Sequence, residues 1–370
     1  MEVLLNVPYY SGSHKYWADN VIKNSAHDIF MLTMTGRHWK WRMKGSSIHL
    51  AQKIKELASK PQAIICSSMM DLSLYKSLLA KELQDIPIIY YLHENQLTYP
   101  FSNNESRSQE DFHYGFINYR SCLIADKIIF NSQYHMDQFL DGLIKLFKRL
   151  PDYTTEILDS VNLIKSKSIV IYVGIDFDLI NSYKSYQAPN ECPTLLWNHR
   201  WSFDKRPDIF YELCHFLKEK NIPFKLNLIN DVKSDSTGVF KRIQKEFGDK
   251  IKRFGHLSSY EDYIQTLCSS DILPVCSDHD FYGVSVLEAV YCGLSPILPR
   301  YKVYEEFFPV EKFRKNYYDS KSSFFDTTCQ IINNKIIQDS IEDIVFNHSI
   351  HNTLIKLDQC ITNIFNINTA

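Results

Sequence analysis

The sequence predicts an α/β protein made of two doubly wound parallel-sheet domains. Three observations carry this. Short runs rich in Ile, Val, Leu and Tyr alternate with longer amphipathic stretches through both halves of the chain. Strands that read as near-continuous apolar runs are those covered by helices on both faces. The chain has 370 residues, more than one hydrophobic core usually holds.

In the first half, residues 3–7, 28–33, 63–66, 87–92, 127–130 and 169–173 read as buried strands. Residues 48–57, 72–83 and 133–147 read as helices between them, with Asn131-Ser132 as a cap before the third. Residues 143–168 are mildly basic and are expected to be a mobile, solvated segment with at most weak contact to a nucleic-acid backbone. Tyr172 to Asp176 closes this half, Gly174 supplying the turn, which puts the domains at 1–176 and 177–370. A polar stretch, 181–192, then leads to strands at 194–197, 224–229, 251–254, 271–275 and 295–298. Pro207 suits the first turn of the helix after the first of these. The tail from Ser320 reads as helical and polar, and is expected to pack back on the first domain.

Bulk composition narrows the function classes. Hydrophobic content of 45% and charged content of 23% are ordinary for a soluble globular chain. A net charge of −2 excludes a global basic field, so any nucleic-acid contact must rest on local patches. Nine scattered cysteines without a C-x-x-C pair imply reduced thiols, a cytoplasmic setting and no zinc site. Residues 1–8 read as a strand without a basic leader, so no signal peptide is expected, and no apolar run reaches membrane-spanning length.

Ligands of parallel sheets sit beyond the carboxyl ends of the strands, so the residues following each strand are the candidates. In the second half, Asp280 and Glu288 flank the turn Phe281-Tyr282-Gly283-Val284, which follows a strand and opens a helix at 285–291. A glycine there lets backbone approach a ligand, and the first helical N–H groups then face it. The helix dipole adds to this, making an anion site. Glu288, on the helix body, can accept from paired hydroxyls. Anion plus diol describes a nucleotide sugar. Arg200 and Lys205 lie between the 194–197 strand and its helix, where two cations can clamp a diphosphate.

In the first half, Ser13 is read as a helix cap next to His14 after the first strand. After the second strand, Arg37, Trp39, Trp41 and Arg42 stand in a basic, aromatic loop without an acid, the composition that grips single-stranded nucleic acid. After the fourth strand come His93, Glu94, Asn95 and Gln96, four polar side chains at a ligand edge. The aromatic-rich stretch 111–120 is expected to pack beneath them.

These blocks resemble those of GT-B glycosyltransferases and, more narrowly, of the tRNA-queuosine mannosyltransferases. The resemblance rests on Tyr10-Ser11-Gly12-Ser13-His14-Lys15, Gly36-Arg37-His38-Trp39-Lys40-Trp41-Arg42, His93-Glu94-Asn95-Gln96-Leu97-x-Tyr99-Pro100, Asn198-His199-Arg200-Trp201-x-x-Asp204-Lys205-x-Pro207 and Phe281 to Val290. It departs from the family pattern at Asp280, where the wider superfamily has Glu, and at Ser11, where Gly is expected.

The resemblance implies two Rossmann-like domains facing a central cleft. It implies GDP-mannose as donor substrate, no cofactor or metal, and queuosine at a tRNA anticodon (tRNA-Asp type) as acceptor, with retention. Residue by residue, it implies that Arg200 and Lys205 neutralise the leaving diphosphate and that Glu288 holds the ribose. Asp280 would contact the transferred sugar, the Tyr282-Gly283-Val284 backbone would touch sugar or phosphate, and His93 would lie near the anomeric centre. Ser13, His14, Arg37, Trp39, Trp41, Arg42, Glu94 and Asn95 would serve the acceptor. Three alternatives stay open from sequence alone: a lipid or polysaccharide acceptor, a non-catalytic nucleotide- or RNA-binding module, and a metal-binding Asp278-His279-Asp280 triplet.

Overall fold

The computed structural model describes residues 1–100, 109–149, 152, 154–185, 190–230, 237–300, 303–334 and 341–369. The chain forms two compact units, Met1–Gly174 with His348–Ala370, and Ile175–Asn347.

In the first unit six strands pair in parallel: β1 (Glu2–Tyr10), β2 (Asp28–Thr35), β3 (Ala63–Ser67), β4 (Ile88–Leu92), β5 (Lys127–Phe130) and β6 (Ser168–Val170). Their order is β2-β1-β3-β4-β5-β6. Every residue of β3 and β4 is buried, as their unbroken apolar sequences require of central strands. At the two edges, β2 and β6 are only partly covered. The first strand runs on to Tyr10, past the buried run expected at 3–7, its register shifting between Val7 and Tyr10.

The helix after it starts at Gly12, with Ser11 at the N-cap. The expectation that Ser13 caps it is therefore corrected: Ser13 lies inside the first turn, because Gly12, at φ 51°, turns the chain one residue earlier and leaves Ser11 at the cap. The expected loop around Trp39 and Trp41 is corrected too. A helix covers Trp39–Lys53, entered through His38 in the left-handed region. Its first two turns carry no amphipathic period, so sequence alone read them as loop. The expected helix 72–83 breaks into Leu72–Leu78 and a 3-10 turn, Lys81–Leu83, where Leu79 turns extended. Gln133–Phe147 is a helix over its expected range, Ser132 Oγ accepting from His135 N at 3.0 Å. Within 143–168, Thr154–Lys167 is a packed helix with Val161 and Ile164 buried, not a loose solvated segment.

The last helix, Ile350–Thr369, belongs to the first unit, where Leu354, Leu357, Ile361 and Ile364 bury its apolar stripe. Asp358 accepts from Ser25 Oγ at 2.6 Å and Ala26 N at 2.8 Å. Gly174 has φ +80°, and a Cβ there would meet the Ile350 backbone at 3.1 Å, so only glycine fits.

The second unit holds β7 (Thr194–Trp197), β8 (Lys225–Ile229), β9 (Ile251–Gly255), β10 (Ile272–Pro274), β11 (Ser295–Pro299) and β12 (Tyr317–Tyr318). The order is β12-β11-β10-β7-β8-β9, again parallel. The two-residue β12 is too short to leave a period in sequence. Counted along this unit, the order is 3-2-1-4-5-6 read from β9 to β12, the doubly wound pattern of dinucleotide-binding sheets. After β7 the chain winds one way across the sheet and after β10 the other. The crevice outside their carboxyl ends is the switch point where such sheets bind ligands. Behind it lies a core of Trp197, Trp201, Phe210, Leu213, Phe240 and neighbours.

Candidate active site

Two loops converge on that switch point. One follows β7 and ends in the 3-10 turn Phe203–Lys205, after which Pro207 stands at the start of the helix Pro207–Glu219. The other runs from Val275 to Gly283, the N-cap of the helix Val284–Tyr291. They are joined by backbone, Asp278 N donating to Asp204 O at 2.8 Å.

Side chains tie them further. Lys205 Nζ donates to Asp280 Oδ1 at 2.6 Å and to His279 O at 2.9 Å, and its side chain is only 9% exposed. Tyr304 OH donates to the other Asp280 oxygen at 2.6 Å. Burial alone would push the Asp280 carboxyl up, but Lys205, His199 and the Tyr304 hydroxyl outweigh it and hold it at about 2. Arg200 and Lys205 each come within 3.5 Å of Asp204 Oδ2, which draws the two cations together, and the Arg200 side chain is 58% exposed.

Gly283 has φ 91°, and a Cβ there would stand 3.2 Å from the Tyr304 ring. The carbonyl of Gly283 accepts from Val286 and Leu287, and the helix begins with no side-chain cap, so the first turn points N–H groups out of the helix end. Tyr282 is buried, its ring packed edge-on against Phe307.

Glu288 sits one helical turn further on. Its two oxygens accept from Tyr260 OH and Tyr263 OH, both at 2.9 Å. Burial lifts its carboxyl to about 7 in spite of those two bonds. Asn198 bridges the networks, its amide donating to Ser285 O at 3.0 Å and Tyr263 OH at 3.3 Å. His199 Nδ1 lies 3.4 Å from Ser285 Oγ, and burial drops this imidazole to about 4, so it is neutral. Among the described residues, Asn198 Oδ1 and His199 Nε2 are buried without a hydrogen-bond partner.

Asp278 pairs with Arg206 at 3.4 Å while Asp280 pairs with Lys205, so the two carboxylates of the triplet serve different cations. Among the described residues no cluster of three His, Cys, Asp or Glu side chains is placed to hold a metal ion.

The first unit has its own cluster at the carboxyl ends of β1, β3 and β4. His14 Nε2 lies 3.1 Å from Glu94 Oε2, and Ser68 Oγ donates to Glu94 Oε1 at 3.3 Å. The His93 ring lies 4.3 Å from that of His14 and is walled by Trp17 and Tyr91. Burial, with His14 and His135 adding to it, keeps the His93 imidazole well below its ordinary value and thus neutral. Among the described residues, His93 Nε2, His14 Nδ1 and Asn95 Nδ2 are buried without a partner. Asn95 Oδ1 accepts from Leu97 N and Thr98 N, making the turn. The helix Gln109–Ile124 lies beneath this edge, Asn118 Oδ1 accepting from Gln96 N at 2.8 Å.

Ser13 is exposed next to His14. The basic, aromatic residues begin the Trp39–Lys53 helix and divide in two. Trp39 packs on Tyr114 and joins Met43 in a small core, whereas Trp41 is 62% exposed. Arg42 donates to Thr35 O and Oγ1, and Arg37 is exposed.

A family model described as tRNA-queuosine alpha-mannosyltransferase N-terminal matches residues 2–175. The tRNA-queuosine alpha-mannosyltransferase of Drosophila melanogaster is 32% identical over 318 residues, covering 84% of this chain and 82% of that protein. The chain belongs to the tRNA-queuosine alpha-mannosyltransferase family. As a member of that family it is a glycosyltransferase. Solved structures give the fold class, GT-B. A glycosyltransferase from Rickettsia africae ESF-5 superposes with a TM-score of 0.67 at 15% identity over 98% of both chains. Anabaena Alr3699/HepE in complex with UDP and glucose does so at 0.59 and 16%, over 100% of this chain and 97% of that one.

In this mannosyltransferase-family chain, sequence reasoning singled out Lys205, Asp280, Gly283 and Glu288, and the fold brings them to one switch point. It missed Tyr260, Tyr263 and Tyr304 altogether, since a tyrosine in a helix reads as core until its hydroxyl is seen to reach a carboxylate. No helix among the described residues is long and apolar enough to cross a membrane.

Proposed function

We propose that this chain transfers mannose from GDP-mannose to the queuosine nucleoside at the wobble position of a tRNA-Asp-type anticodon, with retention, in the cytoplasm and without a metal. The observation that carries the reading is the ion pair of Lys205 and Asp280 beside the open end of the Gly283–Tyr291 turn and helix, with Glu288 one turn along.

Each group then has work. Breaking the anomeric bond leaves charge on the diphosphate. Fixed N–H groups at the helix end, Lys205 and the exposed Arg200 stabilise that charge without reorganising. Glu288 accepts from the ribose diol of the guanosine. Asp280, ionised at any neutral pH, faces the positive charge growing on the sugar ring. His93, held neutral, can donate one hydrogen bond to a sugar oxygen without competing as a cation. For retention, a cyclopentenediol hydroxyl attacks on the face the diphosphate leaves. The carbon–phosphate-oxygen bond breaks as the new carbon–oxygen bond forms, and the hydroxyl proton passes to the departing phosphate oxygen. Trp41, Arg37 and the neighbouring lysines offer a stacking and phosphate-binding surface for the anticodon loop. The Drosophila relative is named for this acceptor and this sugar, which supports the reading.

The test incubates purified protein with labelled GDP-mannose and tRNA that contains or lacks queuosine, in the presence of chelator, followed by mass analysis of the anticodon nucleosides. A mannosylated, α-linked queuosine formed only on queuosine-containing tRNA supports the proposal. Transfer only to other acceptors, a β-linked product, or loss of transfer with chelator each overturns the corresponding part.

A further inference from the structure

We propose that Tyr260 and Tyr263, with Asn198 behind them, are positioning residues that orient the Glu288 carboxylate to take a vicinal diol. The inference rests on the reading of Glu288 as the diol acceptor given above.

The geometry is specific. The two tyrosines stand three residues apart on the helix Tyr260–Cys268, on one face, and each donates its hydroxyl to a different oxygen of the same carboxylate. One lone pair on each oxygen is thus taken, and a second on each remains, because an ionised carboxylate has about four acceptor sites. Two remaining lone pairs, in a carboxylate plane whose orientation the two donors fix, match the two hydroxyls of a ribose. Asn198 fixes Tyr263 in turn, and it also reaches Ser285 O on the Glu288 helix, so the β7 loop, the 260–268 helix and the 284–291 helix are held together.

The tyrosines have a second effect. Glu288 is pushed up by burial and pulled down by the two hydroxyl bonds. Among the described residues, the titratable groups that act on it are Tyr260 and Tyr263 from the facing helix, with Cys292 at the end of its own helix. Cys268 and Lys184 stand beyond Cys292. Removing one hydroxyl removes a pull on the ionised form, so Glu288 becomes harder to ionise, and a protonated carboxyl accepts a diol poorly.

The experiment titrates the intact protein with GDP by calorimetry from pH 5.5 to 9, using wild type, Tyr263→Phe and Tyr260→Phe. Wild type is expected to lose GDP affinity as pH falls through the Glu288 ionisation. Each Phe variant is expected to show the same fall displaced to higher pH. A displacement of about one unit gives roughly ten-fold weaker binding on the acid limb, recovered at pH 9. A loss equal at every pH, or no loss, overturns the inference. In parallel, carbon-13 carboxyl NMR of glutamate-labelled protein, with Glu288 assigned by Glu288→Gln, follows the ionisation without any donor. An upward shift in Tyr263→Phe or Tyr260→Phe upholds the positioning role even if GDP does not bind, in which case it is the donor reading that fails. An unshifted midpoint in both variants overturns the inference whatever GDP does.

Discussion

Lys205 and Asp280, seventy-five residues apart in sequence, form a part-buried ion pair at 2.6 Å that joins the loop after β7 to the loop after β10. Each loop leaves the sheet in a different direction, so this pair closes the switch point from both sides. A pair so placed costs little while both partners remain and much when one is lost, because the survivor keeps its desolvation cost without its partner.

Lys205→Met is therefore expected to destabilise the protein by about 3 kcal/mol, since Asp280 is left uncompensated, and, on the proposed role of Lys205 beside the diphosphate, to lower transfer by at least about a hundred-fold. Denaturant midpoints and steady-state transfer rates check both. Arg200→Ala, removing a side chain 58% exposed, is expected to lower transfer with little change in the denaturant midpoint.

Stability against pH should show two opposed contributions. His199 lies at about 4 in the fold against 6.5 unfolded, so its contribution is complete above pH 6.5 and is lost as pH falls toward 4. Glu288 lies at about 7 against 4.5, so its contribution is complete below pH 4.5 and is lost as pH rises toward 7. The shifts are of similar size, on the order of 3 kcal/mol each, and nearly cancel between pH 4.5 and 6.5. Chemical denaturation should find a flat profile there in wild type. In Glu288→Gln, stability should rise with pH across this window, and in His199→Gln it should fall. Asp280 adds a further loss only below pH 3.8, as pH approaches 2.

Gly283 is held at φ 91° with the Tyr304 ring beneath it. Gly283→Ala should cost about 1–3 kcal/mol and reduce transfer by displacing the helix end. Tyr304→Phe keeps the ring and removes only the bond to Asp280, so it should cost about 1–2 kcal/mol, read from thermal midpoints.

Trp39 and Trp41 should separate stability from RNA binding. Trp41→Ala removes an exposed ring and is expected to leave the denaturant midpoint within about 0.5 kcal/mol while weakening tRNA binding by about 1–3 kcal/mol, measured by filter binding at fixed salt. Trp39→Ala opens the small core with Met43 and Tyr114 and should lower stability.

What the amino-acid sequence determined by itself was the alternation of buried strands and helices, the doubly wound class, and the strand ends at which Lys205, Asp280, Gly283, His93 and Glu94 stand. Those follow from local period and turn chemistry, which act over a few residues. Only tertiary structure decided that Lys205 would pair with Asp280, that Tyr260 and Tyr263 would hold Glu288, that Trp39 would be core while Trp41 stayed in water, and that, of the tail expected to return to the first unit, residues 348–370 do so while 320–347 stay with the second. Each depends on contacts between stretches distant in sequence, and hydroxyl, carboxylate and ring carry no periodic signal that says which distant partner will meet them.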